Sequence, residues 1–249
     1  YEETTEIYAD IAAASQEEST QLMQRIYSAP VKEELIGKRV IEVKKSGAKC
    51  AISVVPANTK KYAPLAVEAG ADLIVVQSTV TTARHKSTSP RGLIFSELIE
   101  NLAKPVLVGN TVSYETTMEF LEQGVHGILV GVGPGAACTS REVLGIGVPQ
   151  VTATMDCSAA RDEYFRRTGR YVSIITDGGI RTGGDVCKSI VAGADAVMIG
   201  TPFAQAEEAP GMGCNWGMAT PHSELPRGTR IKVGTKATLN QILFGPTSL

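Results

Sequence analysis

Three times in this chain a glycine closes an amphipathic stretch and an apolar run follows at once: Gly70-Ala71-Asp72-Leu73-Ile74-Val75-Val76, Gly124-Val125-His126-Gly127-Ile128-Leu129-Val130 and Gly193-Ala194-Asp195-Ala196-Val197-Met198-Ile199. A glycine so placed ends a helix in the left-handed conformation, and the uninterrupted, β-branched run after it has the character of a strand buried on both faces. Helix and buried strand in alternation dictate a parallel sheet with right-handed crossovers. Six strands are expected: Ala51 to Val55, Leu73 to Gln77, Pro105 to Gly109, Gly127 to Gly131, Val172 to Asp177 and Ala196 to Gly200. A closed (β/α)8 barrel needs eight.

Several of these runs end in glycine beside a polar residue, which is how a parallel strand opens onto a ligand. Gly131-Val132-Gly133-Pro134-Gly135-Ala136-Ala137-Cys138-Thr139-Ser140 places one cysteine behind a glycine-rich turn. Such a turn leaves backbone N–H groups free, and a helix starting after it favours thiolate. Alone, the loop leaves two readings open: an activated nucleophile, or a small buried apolar residue. Asp177-Gly178-Gly179 and Gly200-Thr201 are the other polar strand ends. Backbone N–H groups there suit a phosphate, and a carboxylate at Asp177 suits a vicinal diol; a turn residue before Gly-Gly is its plainer role.

Composition narrows the classes. A chain of 249 residues with 43% hydrophobic content can bury one sizeable core, and a formal charge of −2 gives no basic footprint for nucleic acid. No apolar stretch approaches the ~20 residues of a membrane span, and no export signal is seen at the start. The five cysteines (50, 138, 157, 187 and 214) are odd in number and widely spaced, indicating neither a disulfide framework nor a zinc site. A reducing cytoplasm is the expected compartment, with Cys50, Cys157, Cys187 and Cys214 structural. Tyr1 to Tyr27 reads as an acidic helical stretch with Ile7, Ile11, Leu22, Met23 and Ile26 as its apolar stripe.

The Gly-Pro-Gly…Cys-Thr loop, the Asp-Gly-Gly-Ile strand end, the Met-Ile-Gly-Thr strand end and Glu207-Glu208-Ala209-Pro210-Gly211, in that order, resemble the IMP dehydrogenase/GMP reductase family, most nearly its members without a CBS insert. The resemblance runs from about Ala51 to the C-terminus. It implies an α/β fold, a (β/α)8 TIM barrel of which this chain holds an incomplete part, six of eight strands. It also implies a single catalytic domain over residues 1–249, an internal fragment lacking two upstream βα units and a closing helix.

The resemblance implies a purine mononucleotide (GMP, IMP or XMP) as partner, NADP or NAD as cofactor, and a homo-tetramer. Cys138 would attack C2 of the base, with Thr139, Ser140 and Glu208 as the other catalytic candidates; a surface ion pair is the ordinary alternative for Glu208. Asp177, Gly178, Gly179, Gly200, Thr201, Gly217 and Met218 would bind the nucleotide. Gln77, Ser78 and Asn110 would meet the cofactor, and carbonyls of Gly133, Gly135 and Cys138 a monovalent cation, K+.

Departures from the family pattern carry the rest. Ala136 stands where the family has a phosphate-binding serine, and Gln77-Ser78-Thr79 where dehydrogenases have an aspartate on the nicotinamide ribose. Met212 to Val233, rich in Gly and Pro, reads as a mobile active-site flap rather than a packed element. It contains no Arg-Tyr pair for activating water: Arg227 and Arg230 lack an adjacent tyrosine, and His222 reads as a loop histidine. A reaction that needs no water activation is therefore favoured, GMP plus NADPH giving IMP and ammonia, over IMP dehydrogenase. A nucleotide-binding regulator without turnover would not need Cys138. A generic phosphate-binding barrel would not need the cysteine loop.

Overall fold

The computed structural model describes residues 1–83, 93–217 and 230–245. Helices α1 (Thr5–Ala13), α2 (Gln16–Tyr27) and α3 (Glu33–Lys45) lead into β1 (Ala51–Val54), α4 (Pro56–Glu68), β2 (Leu73–Gln77), α5 (Phe95–Leu102), β3 (Val106–Thr111), α6 (Tyr114–Glu122) and β4 (Gly127–Val130). Then come α7 (Ser140–Leu144), α8 (Gln150–Thr168), β5 (Ser173–Asp177), α9 (Gly183–Val191), β6 (Ala196–Met198) and α10 (Thr201–Ala204). β7 (Cys214–Trp216), β8 (Arg230–Lys232) and α11 (Leu239–Phe244) follow.

β1 to β6 form one parallel sheet in sequential order, which makes the fold an incomplete TIM-type barrel with β1 and β6 at its edges among the described residues. All six strands lie within two residues of their expected bounds. The pairing register sets Val54, Val76, Val108, Ile128 and Ile174 side by side across five strands. Each of these belongs to the core that Ala63, Ala66, Phe95, Phe120, Leu121, Cys157 and Ala160 build from the helices. Period-two alternation sends the neighbouring residues of each strand to the inner face of the curled sheet.

Two details aim side chains at the C-terminal edge. Gly109 lies so close to β4 that a Cβ there would come within 2.5 Å of the Leu129 Cβ. Just beyond it the β3–β4 register shifts between Gly109 and Thr111, a bulge that takes Asn110 out of the ladder. Bulges of this kind re-aim a side chain.

The N-terminal stretch is two helices rather than one, broken at Ser15, whose hydroxyl accepts the Glu18 N–H while the Glu18 carboxylate accepts the Ser15 N–H. The ends of the expected flap are paired: β7 and β8 form an antiparallel ribbon, while residues 218–229 lie outside the described residues. α1 and α2 pack on that ribbon. Trp216 Nε1 donates to the Tyr27 hydroxyl at 2.9 Å, and buried Arg230 donates through Nη1 to the Ile11, Ala12 and Ala14 carbonyls at the end of α1. No helix among the described residues is long and apolar enough to cross a membrane.

Candidate active site

The C-terminal ends of the first five strands are joined by one hydrogen-bond network. Ser53, in β1, donates to Gln77 Oε1 at 3.4 Å; Gln77, ending β2, donates through Nε2 to Asn110 Oδ1 at 3.0 Å and to Asp177 Oδ2 at 2.8 Å. Asn110 Nδ2 donates to the same carboxylate oxygen at 2.8 Å and to the Gly131 carbonyl after β4 at 2.8 Å. Asp177, ending β5, is thus held by two amides. Burial pushes its carboxyl above the usual carboxylate range, and the Asn110 and Gln77 amides oppose that rise.

Above this network opens a cavity of about 770 Å³, lined among others by Ser53, Asn58, Tyr62, Gln77, Ser78, Asn110, Cys138, Asp177 and Gly178. That volume lies in the range of about 300–1,000 Å³ usual for small-molecule sites. Asp177 is the one charged side chain among the described residues of its lining; Cys138 and Tyr62 are the other titratable ones.

Cys138 sits in a loop folded back on itself. Its N–H donates to the Gly135 carbonyl at 3.0 Å, its thiol donates to Ser140 Oγ at 3.2 Å, and the side chain is exposed. Arg141 staples the loop shut, donating through Nε to the Val132 carbonyl at 3.1 Å and through Nη2 to the Val148 carbonyl at 2.6 Å. Gly178, with φ +90°, packs under Pro134, so that the turn carrying Asp177 and the loop carrying Cys138 touch.

The cavity gathers Cys138, Thr139, Ser140, Asp177, Gly178, Gly217, Gln77, Ser78, Asn110, Gly133 and Gly135 from the residues singled out in the sequence. Gly179, Gly200, Thr201 and Glu208 are not in its lining; Met218 lies outside the described residues. Glu208 instead accepts the Leu239 N–H at 2.8 Å at the start of α11. Arg230, weighed above for water activation, is also absent from the lining and is buried against α1. Pattern reading missed Ser53, Arg141 and Gln150, whose Nε2 donates to the Val130 carbonyl at 2.6 Å and to the Asp177 carbonyl at 3.2 Å. None stands in a recognisable motif of its own: Ser53 is defined by the Gln77 side chain it reaches, Arg141 and Gln150 by the backbone carbonyls they reach.

Two groups implied by the sequence can be tested against these residues. The amides of Gln77 and Asn110 already have protein partners, and Ser78 Oγ donates to the Val80 carbonyl at 2.6 Å. A nicotinamide ring nevertheless has room beside Cys138, with Ser53, Asn58, Tyr62 and Thr79 lining the wall left over. For a monovalent cation, one of the three expected carbonyls, that of Gly135, already accepts the Cys138 N–H. No group of three or more His, Cys, Asp or Glu side chains suited to a metal occurs among the described residues.

Residues 12–218 match the family model described as IMP dehydrogenase / GMP reductase domain. The chain is 38% identical over 244 residues to an uncharacterized oxidoreductase of Mycolicibacterium smegmatis, covering 96% of this chain and 65% of that protein. It is 43% identical over 154 residues to the inosine-5'-monophosphate dehydrogenase of Cryptosporidium parvum, covering 62% of this chain and 36% of that one. The crystal structure of an IMP dehydrogenase/GMP reductase-like protein from Corynebacterium glutamicum superimposes with a TM-score of 0.91 at 38% identity, over 100% of this chain and 66% of that one. The chain thus spans just under two thirds of the length of the relatives it matches along its whole extent.

Proposed function

Because the chain belongs to the IMP dehydrogenase / GMP reductase family of oxidoreductases, we propose that its cavity binds a purine mononucleotide and that Cys138 attacks C2 of the base in a GMP reductase-like reaction. The observation that carries this reading is the shared cavity of Cys138 and Asp177, which sit on loops in direct contact through Pro134 and Gly178. A nucleophile and a diol acceptor so placed suit the two ends of a nucleoside.

In this mechanism the Cys138 sulfur bonds to C2, Ser140 Oγ takes the thiol proton along the existing hydrogen bond while passing its own to the exocyclic amine, and that amine leaves as ammonia. A reduced nicotinamide, when bound, supplies hydride to C2 as the sulfur departs as thiolate. Asp177 holds the ribose diol, the backbone of Gly178 and of the cysteine loop faces the phosphate, and Arg141 keeps that loop in shape. The described lining of the cavity supports this direction. Hydrolysis of a covalent adduct requires a base for water, and among the described residues Asp177 is the only charged side chain in the lining, with Oδ2 held by two amides and Oδ1 assigned in this reading to the ribose. Arg230, the described arginine of the expected flap, is tied to α1.

The test incubates the protein with GMP plus NADPH and, separately, with IMP plus NAD, following absorbance of the reduced cofactor. Consumption of NADPH with release of ammonia is the expected result. Formation of NADH and XMP instead would assign IMP dehydrogenase activity, and silence in both assays with tight nucleotide binding would assign a regulator.

A further inference from the structure

We propose that Gln77 is a positioning residue for Asp177: with Asn110 it fills one carboxylate oxygen, Oδ2, and so leaves Oδ1 as the oxygen presented to the ribose. The inference rests on the nucleotide reading above and goes beyond it, giving residue 77 a role toward the nucleotide rather than toward a dinucleotide cofactor.

Each polar atom of the Gln77 amide has a protein partner. One Nε2 hydrogen goes to Asn110 Oδ1 and the other to Asp177 Oδ2, while Oε1 accepts from Ser53. Among the described residues Oδ1 of Asp177 receives no such donor, and its carboxylate faces the cavity. The charge balance argues the same way. Gln77 and Asn110 donate to the Asp177 carboxylate, and the lining they share with it, Ser53, Cys138 and Tyr62 included, holds no cation among the described residues. An aspartate at position 77 would bring a second carboxylate toward Asp177, and carboxylates in contact share a proton instead of both ionising. A neutral donor is the residue type that lets Asp177 stay ionised there.

Two readouts test the proposal on the protein with Gln77→Met, which removes the donors at similar length; Gln77→Leu serves if that variant does not fold. The first is the Asp177 carboxyl titration by 13C NMR without ligand, assigned with Asp177→Asn. It moves to higher pH in Gln77→Met. The second is the dissociation constant of IMP against 2′,3′-dideoxy-IMP. The preference for IMP falls about tenfold in the variant, the order expected for a charged hydrogen bond, and affinity for the dideoxy nucleotide is unchanged. Equal weakening of both nucleotides, or a loss confined to KM for the nicotinamide dinucleotide, overturns the proposal. An unmoved titration with nucleotide binding intact also overturns it. A wild type that binds neither nucleotide while the titration moves overturns the nucleotide reading instead, and the ribose role with it.

Discussion

Asp195 and Ile174 are joined twice: the Asp195 N–H donates to the Ile174 carbonyl at 2.8 Å, and the Ile174 N–H donates back to Asp195 Oδ2 at 2.7 Å. The same double link joins Asp72 to Cys50, at 2.8 and 2.7 Å. It joins His126 to Val106 as well, where the carbonyl bond is 2.9 Å and the ring Nδ1 accepts the Val106 N–H at 3.2 Å. In each case the accepting side chain stands two residues after the glycine that closes a helix. These clamps fix the start of a strand to its neighbour, at the opposite end of the sheet from the cavity.

One clamp titrates near neutrality. His126 Nδ1 accepts only while it is unprotonated, and partial burial and the Arg170 guanidinium both lower its pKa from the ordinary 6.5. A group whose folded pKa lies below its unfolded value gives full stability above the unfolded value, and loses it as pH falls through the folded one. Asp72, held down to about 2 by the Cys50 N–H and Lys44, keeps its clamp at both pH 7.5 and pH 5.5. His126→Asp, which copies the other two clamps and faces Arg170, should therefore show a smaller drop in Tm between those pH values than the wild type. Equal drops in circular-dichroism melts would refute the assignment.

The repeating glycine-then-strand unit made the six-stranded sheet legible before any coordinates, because buried parallel strands announce themselves by uninterrupted apolar runs. The clamps were half visible: Asp72, His126 and Asp195 recur at one position, but their partners lie on other strands. β7 and β8 escaped because three residues each are too few for a period to show. Ser15 and Glu18 do carry a helix-start signature that divides the first stretch in two. In the site, Cys138 and Asp177 were legible from motif chemistry. The partners of Gln77 and Asn110 were not, since an amide's role is set by what curls round to meet it.

Arg230 supplies a second prediction. It is 3% exposed, and its guanidinium is bonded to carbonyls at the end of α1. Arg230→Ala should cost about 1.5–3 kcal/mol, the range for hydrogen bonds to a charged group, and loosen α1 from the ribbon. Urea unfolding measures the loss. A stable variant with impaired turnover would instead place Arg230 in the chemistry.

Gly178 links the two halves of the site. Its φ of +90° strains any L side chain, and an added Cβ would lie 2.9 Å from Pro134 Cγ. Gly178→Ala should cost about 1–3 kcal/mol in backbone strain and push the cysteine loop away from Asp177. The expected result is loss of turnover with a changed rate of Cys138 alkylation. Full activity would show that the two loops need not touch.

Cys138 gives the last prediction, and the other cysteines serve as its controls. Cys50, Cys157 and Cys214 are buried, whereas Cys138 and Cys187 are exposed. Burial pushes the Cys157 thiol up to about 12, which keeps it unreactive at neutral pH. Iodoacetamide should thus modify Cys138 and Cys187 in the folded protein, and peptide mapping separates the two. IMP or GMP should suppress modification of Cys138 alone, because Cys138 lines the cavity and Cys187 lies on α9. Cys138→Ala should abolish turnover yet keep mononucleotide affinity within about tenfold, since the ribose and phosphate contacts come from other residues. Turnover retained in that variant would remove the covalent step, and labelling of Cys138 indifferent to either nucleotide would remove the nucleotide from this cavity.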